Sequence, residues 1–232
     1  MTNQVAVSYL NVFLERHPLR IFKKGEIIIF QGEAPRTAFV VKSGTVKAYN
    51  LSASGDEKPI AFYPAEQIFP RSWVYGKAAS SIYYYEAFTP EVELYVIDRD
   101  EFLSFIKHRP ELLYQEMERI LADQLGASLR LNALQHSRAS DKLIYTLHYL
   151  ALTHGKLIDD KTLEIGLSLT HQDFANLTGL TRETAATELN KLKKLHVIDY
   201  GKNMPYRLNL QRLTRLLSDQ FIADLGSTTL AP

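Results

Sequence analysis

Hydrophobic positions in the first hundred residues fall into short runs separated by turn-forming residues. The runs are residues 27–30, 39–41, 46–49, 60–63 and 94–97. The glycines between them are Gly25, Gly32, Gly44 and Gly55. Valine and isoleucine pack well on a pleated surface, and strands divided by glycine, serine and aspartate are typical of a sandwich or barrel. We therefore predict an antiparallel β domain over residues 1–108.

A seven-residue repeat follows and predicts a helix over residues 109–137. Pro110 stands where such a helix can begin, because its φ suits the first turn. The repeat positions, called the heptad stripe below, are Leu113, Met117, Ile120, Gln124, Ala127, Leu131 and Leu134. A stripe of this kind needs a partner helix, and a second copy of the chain supplies one. The alternative partner is the chain's own β domain, and a second stripe (Leu112, Leu121, Leu125, Leu129) leaves room for both.

The remaining residues, 138–232, have helical spacing broken by two hairpins. A helix is predicted from Asp141 to His154, then a small hairpin over 156–165. Thr170 and Thr181 each stand at the start of a further short helix, as N-cap residues do. Gly179 lies in the tight turn between those helices, and this arrangement matches a helix-turn-helix unit. The second helix has an apolar side formed by Ala185, Leu189, Leu192 and Leu195.

The polar side of this second helix favours contact with nucleic acid. Arg182 and Glu183 stand in its first turn, and these residue types hydrogen-bond guanine and cytosine edges in the major groove. A hairpin with a basic tip at Lys202 follows, as in a winged unit. The whole chain has a net charge of +1, but residues 170–216 hold eight basic and four acidic residues, a net +4. An ordinary helical hairpin with a solvated face is the other interpretation.

The residue content excludes several classes of protein. There is no cysteine, so disulfides, thiol nucleophiles and cysteine-ligated zinc or iron–sulfur sites are excluded. No histidine lies between positions 18 and 107, and Glu66 with Glu86 does not make a convincing acid–base pair. We therefore predict neither a metal site nor an enzyme. Without a signal peptide or an apolar run of ~18–20 residues, we expect a cytoplasmic protein that does not enter a membrane.

The order of these elements resembles the Crp/Fnr transcription regulators. The matching segments are Lys24–Ile28, Gln31–Glu33, Val40–Lys47 and Leu180–Thr184. The last segment, Leu-Thr-Arg-Glu-Thr, is similar to the start of the family's recognition helix. The resemblance implies an α+β fold: a jelly-roll type antiparallel β-roll (1–108), a long dimerisation helix (109–137) and a C-terminal winged helix-turn-helix (138–232).

The resemblance also implies roles for particular residues. It implies base contacts by Arg182, Glu183 and Thr187, where Thr187 replaces a second arginine that is common in the family. It implies contacts to the DNA backbone by Thr170, His171 and Gln172. We expect further backbone contacts by Thr181, Lys191 and Lys202. His171 has an equal alternative as an exposed polar filler. The expected partners are a second copy of the chain, a palindromic double-stranded operator and RNA polymerase. The alternative is an effector-binding or scaffold module whose helix-turn-helix contacts protein.

The segment that would bind a cyclic nucleotide departs from the family pattern. Members that bind one hold its phosphate with a Gly-Glu turn and an Arg-Ser/Thr-Ala segment. Residues 63–73 and 80–87 contain neither, so we predict no cAMP and, without cysteine, no iron–sulfur cluster. An aromatic or apolar effector would meet the candidate residues Arg71, Trp73, Tyr75, Lys77, Tyr83 and Tyr85. The alternative, which we favour, is that these aromatic residues fill the roll.

Overall fold

The computed structural model describes residues 10–201 and 204–217. The chain divides into two compact units, Met1–Glu118 and Arg119–Pro232, which are described separately. The strands are β1 Leu19–Lys23, β2 Ile27–Ile29, β3 Ala38–Ser43, β4 Val46–Leu51, β5 Glu57–Tyr63, β6 Ile68–Phe69, β7 Tyr84–Ala87, β8 Glu91–Ile97, β9 Gly155–Leu157, β10 Thr162–Ile165, β11 Ile198–Gly201 and β12 Met204–Asn209. The helices are α1 (10–14), α2 Arg71–Val74, α3 Arg99–Lys107, α4 Pro110–Gln135, α5 Ala139–His154, α6 His171–Thr178, α7 Arg182–Lys194 and α8 Leu210–Leu216. The predicted α+β fold is confirmed.

The first unit is the predicted β-roll, built from two four-stranded antiparallel sheets. Their strand orders are β1-β8-β3-β6 and β2-β7-β4-β5. The five hydrophobic runs coincide with β2, β3, β4, β5 and β8. The prediction from hydrophobic runs did not include β1, β6 and β7, because these strands are very short or contain polar residues and tyrosines. Gly44 turns the chain between β3 and β4 at φ +80°, where a Cβ would lie 2.4 Å from the carbonyl oxygen of Glu91.

The facing sides of the two sheets enclose the roll core. Its buried members are Phe22, Ile29, Phe39, Val41, Val46, Ala48, Tyr63, Phe69, Tyr85, Ala87, Val92 and Leu94. Phe69 and Tyr85 stack at 5.0 Å between ring centroids, and Tyr63 lies 5.7 Å from each. Aromatic pairs at such distances add to the stability gained from burial alone. The interior of the roll is therefore occupied by the chain's own side chains.

A second hydrophobic cluster covers the outer face of the sheet β1-β8-β3-β6. This helix-side cluster joins α1, α3 and the first turn of α4 to the roll. Its buried members are Leu10, Phe13, Leu14, Ala38, Val40, Ile68, Val74, Ile97, Phe102, Ile106 and Leu112. Asp98 caps α3 by accepting the amides of Asp100 and Glu101, each at 2.9 Å.

Helix α4 is the long helix expected from the heptad repeat, and Pro110 is its first residue. Every member of the heptad stripe is exposed, from Leu134 at 38% to Leu131 at 59% among the large side chains. The predicted second stripe is only half correct. Leu112 and Leu129 are buried, whereas Leu121 and Leu125 are exposed.

The second unit contains a four-stranded sheet in the order β11-β12-β10-β9, with α5 to α8 around it. Helices α6 and α7 form the predicted helix-turn-helix, and β11 with β12 forms the hairpin called the wing below. Leu195 was expected on the apolar side of α7, but it is 59% exposed because the helix ends at Lys194. Among the residues that the structure describes, no helix is both long and apolar enough to span a membrane.

Candidate DNA-binding interface

The start of α6 is held by a reciprocal capping box. The Thr170 hydroxyl oxygen accepts the Asp173 amide at 3.2 Å, and the Asp173 carboxylate accepts the Thr170 amide at 2.7 Å. The Thr170 hydroxyl also donates to that carboxylate at 2.7 Å. The side chain of Thr170 is therefore fully used in capping. The groups at this end of α6 that can bind an anion are the backbone amides of His171 and Gln172, because first-turn amides have no acceptor within the helix.

The start of α7 is set by the turn before it and by its own cap. Gly179 adopts φ +68°, a left-handed conformation that glycine reaches without steric cost. Thr181 then accepts the Thr184 amide at 3.1 Å through its side-chain oxygen. Phe174, Leu177 and Ala185 are buried between the two helices and the rest of the unit. Local sequence thus determines the residue at which α7 begins.

The polar face of α7 presents the predicted base-contacting residues to solvent. Ala185, Leu189 and Leu192 face the core and are at most 5% exposed. Arg182, Glu183 and Thr187 are exposed, and within residues 10–201 and 204–217 none of their side chains has a hydrogen bond or ion pair. The guanidinium and carboxylate at the first turn are therefore available to an external partner.

The three lysines of α7 differ in what they contact. Lys191 lies 2.6 Å from the Glu188 carboxylate, and Lys193 lies 3.0 Å from the Asp199 carboxylate. Lys194 is exposed and has no partner in the described part of the chain. It follows Thr187 by two helical turns and so lies on the same outward stripe. The sequence prediction named Lys191 as a candidate for contact with the DNA backbone and did not name Lys194.

An open cleft of about 670 Å³ lies where the starts of α6 and α7 meet the wing. It is lined by Leu169, Thr170, His171, Gln172, Arg182, Tyr200, Gly201, Met204 and Tyr206. The structure thus brings three predicted backbone-contacting residues together with Arg182. His171 is partly buried, since its ring meets that of Tyr200 edge-on at 5.6 Å. Lys202 lies outside the described residues.

The structure divides the aromatic candidate effector residues between two hydrophobic clusters. Tyr85 is 1% exposed in the roll core, and Tyr83 packs against that core. Burial raises the pKa of the Tyr85 phenol. Trp73 and Tyr75 instead pack against the helix-side cluster, and Lys77 is exposed. The set is divided because Trp73 and Tyr75 lie at helix α2, on the other side of the sheet from the core.

Arg71 lies beside both groups and is engaged by residues of its own unit. Its Nε is 3.3 Å from the Glu116 carboxylate of α4, and its guanidinium lies 5.8 Å from the Tyr63 ring centroid. The Tyr75 hydroxyl donates to the same carboxylate at 2.8 Å. Arg71 and Glu116 are 13% and 7% exposed in their side chains, so the pair is almost dry.

Two features considered for catalysis are also placed by the structure. Glu86 lies 3.3 Å from the buried Lys47 amine and is thereby part of an ion pair. Within the described residues, no group of three histidine, cysteine, aspartate or glutamate side chains is placed to hold a metal ion.

Both units match known protein families. Residues 19–109 match the cyclic nucleotide-binding domain, and residues 141–219 match the Crp-like helix-turn-helix domain. A roll of the first kind followed by a helix-turn-helix of the second defines a class of DNA-binding transcription regulators. The chain belongs to the Crp/Fnr family of transcription regulators, as its sequence predicted.

Individual relatives agree with this assignment. The chain is 27% identical over 202 residues to the global nitrogen regulator of Synechococcus elongatus, covering 84% of this chain and 90% of that protein. It is 25% identical to the cyclic AMP receptor protein of Thermus thermophilus, covering 78% and 80%. The solved structure of FixK2 from Bradyrhizobium japonicum superposes with a TM-score of 0.69 at 18% identity, covering 88% of this chain and 98% of that one. The last similarity shows the fold alone.

Proposed function

We propose that the chain is a homodimeric regulator that binds a palindromic double-stranded operator and carries out no catalysis. The observation that carries the proposal is the first turn of α7. There Arg182 and Glu183 are exposed and without a partner in the described residues, beside a cleft that opens on the start of α6. Arginine donates two hydrogen bonds to guanine and glutamate accepts one from cytosine, so this pair reads base edges.

The backbone contacts in this proposal come from the surroundings of α7. They come from the first-turn amides of α6 and α7, at the helix starts that Thr170 and Thr181 cap. The side chains that add to them are His171, Gln172, Lys191, Lys194 and Lys202. The exposed ion pair of Lys191 with Glu188 is weak, so a phosphate can replace the carboxylate. The +4 charge of residues 170–216 supports affinity that is independent of sequence.

Dimerisation is supported by the heptad stripe. Its large members Leu113, Met117 and Ile120 are 48%, 47% and 40% exposed, which leaves an apolar face along α4 in water. A second copy of α4 can cover such a face, because two helices with the same heptad pattern pair along their whole length. Two recognition helices related by the dimer axis then enter successive major grooves ~34 Å apart. RNA polymerase is the further partner that we expect a regulator of this kind to bind.

For the roll, we propose that cAMP is not the effector. The Gly-Glu turn and the Arg-Ser/Thr-Ala segment are missing from residues 63–87. In addition, the roll core is filled by Tyr63, Phe69 and Tyr85, and Arg71 is engaged by Glu116. Isothermal titration with cAMP is expected to show no heat of binding. Saturable binding at micromolar concentration would contradict this part of the proposal.

DNA binding is tested by selecting sequences from a random double-stranded library with the full-length protein. We expect enrichment of an inverted repeat, and fluorescence anisotropy should show at least ~10³-fold tighter binding to it than to scrambled DNA. Failure to enrich any sequence would favour the alternative in which the helix-turn-helix contacts protein.

Dimerisation is tested separately by light scattering at micromolar concentration. The wild type is expected to have twice the mass of the 232-residue chain. Replacing Ile120 and Leu131 together by glutamate should give the monomer, because four charges would face each other across the stripe. Glu118→Gln changes an exposed residue of α4 outside the stripe and serves as the matched control. A monomeric wild type would contradict the proposed dimer.

A further inference from the structure

Tyr200, in the first strand of the wing, contacts three different elements of the helix-turn-helix unit. Its hydroxyl donates to the Asn190 side-chain oxygen on α7 at 2.9 Å. Its ring stacks on Tyr206 of β12 at 4.6 Å between centroids, with 21° between the planes. The His171 ring at the start of α6 meets it edge-on at 5.6 Å. One side chain therefore joins α6, α7 and the wing.

Lys193 adds a second connection between α7 and the same residue. Its amine lies 4.8 Å from the Tyr200 ring centroid and donates to the Tyr200 carbonyl. The amine also lies 3.0 Å from the Asp199 carboxylate, which holds the pKa of Asp199 below its ordinary value. Lys193 thus points to the wing, although its charge and its place on the polar face of α7 would suggest a DNA contact.

The wing side of this network is anchored in the core. Tyr206 is 4% exposed and packs on Phe174, which is fully buried, with 4.9 Å between the ring centroids. A displacement of Tyr200 therefore meets resistance from the packed interior of the unit. The wing residue that stacks on Tyr200 is therefore itself held by packing against α6.

The helical flank that faces Tyr200 also contains Arg182. Arg182, Ala186, Asn190 and Lys193 follow at intervals of four, four and three residues, which places them on one side of α7. Arg182 and Tyr200 line the same cleft. The contacts of Asn190 and Lys193 with Tyr200 therefore act on the flank of α7 that also contains Arg182.

We propose that Tyr200 is a positioning residue for base recognition: it holds the recognition helix at a set rotation against the wing without touching DNA. The inference rests on the proposed function, since it requires that α7 reads a sequence. Base readout depends on donor and acceptor positions within a fraction of an ångström, so loss of the Tyr200 hydrogen bond costs discrimination between sequences. Affinity for DNA of any sequence depends on phosphate contacts and does not change.

The test uses Tyr200→Phe, which keeps the ring stack and removes only the hydroxyl. Affinities for the selected operator and for scrambled DNA are measured by anisotropy at several salt concentrations. We expect operator affinity to fall about fivefold, as for one lost hydrogen bond, with unchanged scrambled-DNA affinity and salt slope. Asn190→Ala should have a similar effect, and the double variant should lose no more than either single one. Tyr95→Phe, in β8 of the roll, is the matched control.

Three outcomes would overturn the inference. Unchanged operator affinity in Tyr200→Phe would show that the hydrogen bond does not position α7. An equal loss on both DNAs with a shallower salt slope would make Tyr200 a direct phosphate contact. Additive losses in the double variant would make Tyr200 and Asn190 independent. A wild type that discriminates no sequence would refute the proposed function and this inference with it, whereas the first three outcomes leave the proposed function standing.

Discussion

The two arginines at the starts of short helices show how the two units differ. Arg71 begins α2 in the first unit, and Arg182 begins α7 in the second. Arg71 is almost buried and lies 3.3 Å from the Glu116 carboxylate. Arg182 is exposed on a cleft and has no partner in the described residues. The first arginine thus belongs to the internal structure of its unit, and the second is available for recognition.

The comparison teaches that the surroundings of a charge, rather than its residue type, indicate its role. A guanidinium out of water must be paired, because the desolvation cost of an unpaired ion is several kcal/mol. An exposed guanidinium stays hydrated until it binds DNA, so it has no desolvation cost in the free protein. The predictions below test this contrast, beginning with the largest expected effect.

Removal of a carboxylate partner of the buried arginine should have the largest effect. Glu116→Ala leaves the Arg71 guanidinium in a nearly dry site, and we expect the free energy of unfolding of the first unit to fall by about 3–5 kcal/mol. Urea unfolding followed by tyrosine and tryptophan fluorescence measures the loss. Replacing both residues, Arg71→Met with Glu116→Leu, should restore most of it, because apolar side chains then take the place of this ion pair. A loss of unfolding free energy below about 1 kcal/mol for Glu116→Ala would show that the ion pair of Arg71 is not part of the internal structure of the first unit.

Arg182→Ala should show the opposite behaviour. We expect operator affinity to fall by about 1–3 kcal/mol, base preference to relax at one position and urea unfolding to be unchanged. Anisotropy with operator variants measures the first two quantities. Unchanged discrimination between sequences would mean that another helix reads the operator.

His154 is a buried titratable residue of the second unit, and it tests whether burial controls the charge of a side chain there as well. Burial lowers its pKa from 6.5 to about 4, so the folded protein keeps this imidazole neutral. Between pH 6.5 and about 4 the unfolded chain binds a proton that the folded chain does not, so stability is present above pH 6.5 and falls as the pH is lowered. Because the side chain keeps some exposure, we expect a loss of about 1–2 kcal/mol over this interval.

The pH effect is measured by urea unfolding of the wild type and of His154→Gln at pH 7 and pH 4.5. The difference between the two proteins in pH dependence isolates the histidine from the carboxylates that titrate in the same range. Equal slopes for the two proteins would show that His154 is not held neutral by the fold.

The smallest effect is expected for the lysines on the outward stripe of α7. Lys194→Ala should weaken binding to every DNA sequence by about 0.5–1 kcal/mol. The slope of log binding constant against log salt concentration should become shallower by about one unit, because one fewer counterion is released. Lys193→Ala should leave the salt slope unchanged, since its amine faces the wing. These two neighbouring residues are matched controls for one another, and anisotropy at several salt concentrations distinguishes them. Identical salt slopes for the two variants would contradict the assignment of Lys194 to the DNA backbone.

Much of the fold was predictable, because its signals are local. Caps at Thr170 and Thr181, the left-handed Gly179 and the start of α4 at Pro110 all depend on neighbours within a few residues. Strands with continuous runs of branched residues were predicted in the same way. The strands β1, β6 and β7 were missed, since their pairing comes from distant strands such as β8, β3 and β4 rather than from their own composition.

The sequence predicted which residues form the candidate site, but not which of their side chains contact one another. The pattern identified Arg182, Glu183 and Thr187, because an amphipathic helix separates its polar side by spacing alone. It could not identify Tyr200, whose partners are ten residues away at Asn190 and further away at His171. Nor could it distinguish Lys193 from Lys194, since only the wing makes them different.

By itself, the sequence determined the family, the order of roll, long helix and winged unit, and the face of α7 that remains polar. Each of these follows from periodicity, turn chemistry and a short motif, which act over distances of a few residues. Only the tertiary structure decided that Arg71 is paired with Glu116, that Tyr85 belongs to the roll core, and that Tyr200 joins the wing to α7. Those contacts link residues far apart in the chain, and packing alone determines which polar groups meet when water is excluded.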